Sequence, residues 1–70
     1  MQLDQAPKGK YTVTHAPSET RLTRMGLMSG VEVEVLRRAP LGGPIELRLL
    51  DYRLCLRPSL ARSITVEPKT

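Results

Sequence analysis

His15 and Cys55 are the only histidine and cysteine in the sequence, so nucleophilic or metal chemistry within one chain must be built on them. A Cys–His couple needs both groups on facing surfaces, with a third group orienting the imidazole. Cys55 instead sits in an alternating run, flanked in phase by Arg53 and Arg57. Neighbouring guanidinium groups lower a thiol pKa. Without a base, though, the expectation is a packed, inert thiol that behaves as a small hydrophobe. A zinc site asks for three or four converging His, Cys or carboxylate ligands. No resident metal or cofactor is therefore expected; His15 with Asp4, or with a ligand from a second molecule, could hold a metal only between chains. Glu32 and Glu34 lie about 7 Å apart by strand rise and read as a solvated face rather than an acid/base pair. Gly42-Gly43 lies between prolines and lacks a following Lys and helix, so it is no phosphate loop. The chain is expected not to be an enzyme.

The remaining chemistry is charge. Lys and Arg number 11 against 7 Asp and Glu, and the formal net charge is +4. Such a balance admits a backbone-directed nucleic-acid binder. However, Arg21, Arg24, Arg37, Arg38, Arg48, Arg53 and Arg57 come from different segments and mix with Glu32, Glu34 and Glu46, so only weak, salt-sensitive binding is expected. The two tyrosines, with no Trp and no Phe, cannot line a groove for proline-rich peptides or stack single-stranded bases.

The elements that must position these side chains are short. Tyr11 to Thr14 alternates as a strand. Ser18 is expected to open a helix through its hydroxyl, Leu22 and Met25 to share its apolar face, and Gly26 to stop it. Val31, Val33 and Val35 alternate with Glu32 and Glu34 in the clearest strand. Ala39 to Pro44 is a loop. Ile45, Leu47 and Leu49, then Tyr52, Leu54 and Leu56, form a hairpin about Asp51. Pro58 to Arg62 is one helical turn, Ser63 to Glu67 a last strand with Ile64 and Val66 inward, and Pro68 onward a frayed tail. Five short strands without long helices predict a mainly β fold, a small closed barrel around an aliphatic core. Seventy residues suit a single domain, 1–70. A lone cysteine, no apolar run of about 20 residues and no signal-like start point to the cytoplasm.

Three stretches, in this order, resemble the FeoA family (ferrous iron transport protein A). Arg21-Leu22-Thr23-Arg24-Met25-Gly26-Leu27-Met28-Ser29-Gly30-Val31-Glu32-Val33-Glu34-Val35 resembles its helix, turn and strand, with Ser29 where the family often carries proline. Ala39-Pro40-Leu41-Gly42-Gly43-Pro44-Ile45-Glu46-Leu47 resembles its central loop and following strand. Tyr52-Arg53-Leu54-Cys55-Leu56-Arg57, with Ala61, Ile64 and Val66, resembles its closing segment. The resemblance implies an SH3-like five-stranded barrel with one short helix between the first two strands. It also implies an accessory role in ferrous iron uptake, binding and modulating the membrane GTPase iron transporter FeoB. Contact with the membrane would come only through that partner, and weak homo-oligomers are compatible with it. The same fold occurs as the C-terminal domain of metal-dependent repressors, of which this chain would be a stand-alone relative.

Loops carry function on small barrels. The candidate partner surface is Pro40, Leu41, Gly42, Gly43 and Pro44, with Arg37 and Arg38 leading in to grip carboxylates. Leu41 has no strand to bury it, so it is either an exposed apolar anchor or folds back onto the core of a rigid connector. Leu22 and Met25 on the helix are the second candidate.

Overall fold

The computed structural model describes residues 1–69 and measures 28 × 28 × 24 Å. Five antiparallel strands form one sheet in the order β4-β3-β2-β1-β5. They are β1 (Gly9–His15), β2 (Glu32–Arg38), β3 (Ile45–Leu49), β4 (Tyr52–Leu56) and β5 (Thr65–Pro68). Helix α1 (Thr20–Arg24) lies between β1 and β2, and α2 (Pro58–Ala61) between β4 and β5. No helix among the described residues is long and apolar enough to cross a membrane.

Alternation builds the core. Tyr11 and Val13 of β1, Val33 and Val35 of β2, and Ile45, Leu47 and Leu49 of β3 are all buried, as are Leu56, Ile64 and Val66. Tyr11 is the one aromatic among them, and its hydroxyl donates to the Pro7 carbonyl at 2.6 Å. A buried phenol needs such a partner. Leu54 is only half-buried, although it alternates in phase with Leu56. It lies on the outermost strand, where only one neighbour covers it.

The entry segment packs into the barrel. A 3-10 turn at Leu3–Gln5 buries Leu3, and Arg62, just past α2, reaches the Asp4 carboxylate at 3.5 Å. The Leu3 N–H donates to the Ile64 carbonyl and the Val66 N–H to the Met1 carbonyl. These bonds seal the outer edge of β5. Pro68, expected in a frayed tail, is instead the last residue of β5 and pairs with Tyr11.

Helix α1 starts later than its cap chemistry suggests. Glu19, not Ser18, is the N-cap residue, and no side chain caps the helix. The Glu19 carboxylate instead accepts from Arg21. Its end follows the sequence: Gly26 has φ +81°, its N–H bonds the Thr23 carbonyl, and the Leu27 N–H bonds the Leu22 carbonyl. That pair of bonds is a Schellman motif. Leu22 and Leu27 are both buried, so the motif also pins the helix to the core.

Candidate interaction surface around the β2–β3 loop

A bulge in β2 sets the geometry. Val35 pairs with Leu47, but Arg37 pairs with Glu46, which leaves Leu36 as an extra residue. A bulge re-aims the side chains that follow it. Arg37 lies exposed beside Glu46, its Nε donating to the carboxylate at 3.0 Å. Arg53 approaches the other Glu46 oxygen at 3.7 Å from β4. One carboxylate is thus shared by two guanidinium groups. The sequence contains no visible sign of the bulge, because Val35-Leu36 reads as ordinary strand.

Arg38, also exposed, makes an internal contact as well. Its guanidinium donates to the Ala6 carbonyl at 2.5 Å, tying β2 to the end of the 3-10 turn. That bond braces the barrel, and both Arg37 and Arg38 line the same groove.

The loop between the strands is rigidly defined. The Ala39 N–H bonds the Pro44 carbonyl at 2.9 Å, and the Gly43 N–H bonds the Pro40 carbonyl at 3.3 Å. The inner bond closes a four-residue turn whose central residues, Leu41 and Gly42, have φ +59° and +74°. Two successive left-handed residues are what a type I′ turn requires. Gly42 adopts this without cost. Gly43 is needed for space, since a Cβ there would lie 2.6 Å from the Ala39 Cβ. Pro40, Gly42, Gly43 and Pro44 therefore shape the loop.

Leu41 does not fit that logic. A bulky residue at positive φ is a backbone outlier. Its side chain does not fold back on the core: it is 104% exposed. At the base of the loop a groove of ≈ 310 Å³ is lined by Arg37, Arg38, Ala39, Pro40, Pro44, Glu46 and Cys55. Cys55 is exposed rather than packed, because the phase of β4 turns Arg53 and Cys55 outward together. The surface can grip carboxylates at Arg37 and Arg53 while Leu41 inserts into an apolar hollow.

The second candidate is not brought to this surface. Leu22 is fully buried and presents nothing to a partner; Met25 is half-buried, and its carbonyl accepts the Tyr52 hydroxyl at 2.5 Å. The helix face covers the barrel. His15 is exposed at the end of β1. Asp4 is engaged by Arg62. No cluster of three or more metal-ligating side chains occurs among the described residues. Glu32 and Glu34 pair with cations, Glu32 with Lys69 at 2.6 Å and Glu34 with Arg48 at 3.7 Å.

Residues 1–68 match the model of the FeoA domain. Among solved structures, the FeoA protein of Chlorobium tepidum is 35% identical, with a TM-score of 0.86 over 100% of this chain and 71% of that one. Stenotrophomonas maltophilia FeoA in complex with zinc is 26% identical, with a TM-score of 0.75 over 96% of this chain and 89% of that one. It is described as a prokaryotic SH3 domain protein proposed to act as a ferrous iron transport activating factor. ScaR with bound Zn²⁺ is 24% identical, with a TM-score of 0.89 over 99% of this chain but 37% of that one, a likeness of fold alone. No curated protein matches the chain. The small barrel read from the strand pattern, with the SH3-like form that the resemblance implied, agrees with the Stenotrophomonas neighbour's description as an SH3 domain, and the chain belongs to the FeoA family.

Proposed function

We propose that this chain is a non-catalytic accessory protein of ferrous iron uptake, which binds the cytosolic part of the membrane GTPase iron transporter FeoB and modulates it. The observation that carries the reading is the family match over residues 1–68. The surface supports a contact role. Leu41 is held out at a strained φ by a loop that loses little entropy on docking. Arg37 beside it offers a guanidinium to a partner carboxylate.

The test is a pull-down of the purified transporter's cytosolic GTPase region. Leu41→Asp combined with Arg37→Glu removes the apolar anchor and reverses the charge while leaving the Arg38 brace in place. Unchanged folding with lost binding supports the proposal. Unchanged folding with full binding rejects the loop as the contact.

A further inference from the structure

The two edges of the sheet are treated differently. On β5, the Met1–Leu3 segment supplies backbone partners, and Pro68 has no N–H to offer. On β4, no backbone group of Tyr52–Leu56 is bonded outside β3 among the described residues. An unsealed edge is a template for another strand. We infer that the free edge of β4 is a docking strand for an extended, acidic segment of a protein partner, which joins the sheet by backbone pairing. This rests on the accessory-protein reading only for the existence of a partner.

The side chains select the occupant. Arg53 and Cys55 lie on the solvent face of β4, and Arg57 follows in phase between β4 and α2; all three are exposed. Arg37 and Arg53 already share Glu46, and Arg57 has no ion-pair partner among the described residues. The face is therefore cationic. On the opposite face lie Tyr52, 40% exposed, and the half-buried Leu54. Successive side chains of an added strand point to opposite faces. A matching segment carries carboxylates at alternate positions, facing Arg53 and Arg57, and apolar residues between them, facing Tyr52 and Leu54.

A second copy of this chain fits badly. Antiparallel pairing of two β4 edges centred on Leu54, the middle of the strand, sets Arg53 opposite Cys55 and diagonal to Arg53 of the second copy. Centred on Arg53, it sets the two arginines opposite, where like charges are destabilising. The edge is thus biased against self-pairing and toward an acidic strand. The groove lined by Arg37, Pro40 and Cys55 runs from the Leu41 loop to this edge, so one partner can engage both.

The experiment uses the full chain and two labelled peptides, one alternating Glu with Val and the other Lys with Val. The Glu peptide should bind about tenfold or more tighter than the Lys peptide and slow amide exchange within Tyr52–Leu56. Arg53→Glu with Arg57→Glu should reverse the preference; if that variant does not fold, Arg53→Gln with Arg57→Gln should abolish it. Equal binding of both peptides, unchanged β4 exchange, or a wild-type dimer that itself protects β4 would overturn the inference. Transporter binding separates the two readings. If the double variant binds the transporter region like wild type, the edge proposal fails and the accessory reading stands. If wild type does not bind that region while the Glu peptide protects β4, the accessory reading fails and the edge stands.

Discussion

Gly26 shows how one residue joins two elements. It ends α1 at φ +81°, and a Cβ placed there would come within 2.5 Å of the Tyr52 hydroxyl oxygen. Gly26→Ala therefore imposes left-handed strain, about 1–2 kcal/mol, and displaces the Tyr52 hydroxyl from the Met25 carbonyl. Urea denaturation should show a lower midpoint with an unchanged slope; an unchanged midpoint would mean that the turn relaxes freely. The glycine's role as a helix stop was readable from its place after Leu22 and Met25. Its closeness to Tyr52 was not, because that depends on where β4 packs. Leu41 is the reverse case. The sequence left open whether it stands exposed or folds back onto the core; the structure shows it exposed, and its strained φ belongs to the turn and leaves no mark in the residue itself.

At the scale of elements, strand alternation was the legible signal and position within the sheet was not. Leu54 and Leu56 share a phase, so the sequence treats them as equal core residues. The structure separates them: Leu56 is buried beside α2, whereas Leu54 sits on an open edge and is half-buried. Leu56→Ala should cost roughly 2–5 kcal/mol and Leu54→Ala distinctly less, as measured by thermal unfolding. Equal losses would show that the β4 edge is covered in solution. The same limit explains α1. Ser18 is a good capping residue, yet the helix begins at Thr20, because a helix this short is held by Leu22 in the core rather than by its cap. The Leu36 bulge escaped for a similar reason. It is a mismatch between two strands, and no single strand's pattern contains it.

At the scale of the molecule, the net charge of +4 is distributed rather than focused. Arg37 and Arg53 are held by Glu46, Arg48 by Glu34 and Lys69 by Glu32, so the surface is a mosaic of exposed pairs. Duplex DNA and RNA should bind weakly and lose affinity steeply with salt; tight binding at physiological salt would replace the protein-partner reading with a nucleic-acid one. On the proposed function, the strained, exposed Leu41 serves contact rather than folding. That role is tested most directly by Leu41→Gly, with stability and affinity for the transporter's cytosolic region measured on the same preparation. Glycine relieves the positive φ, so stability should be unchanged or raised, by up to about 1 kcal/mol, together with affinity weakened about tenfold or more. Unchanged affinity, or a clear loss of stability, would contradict it.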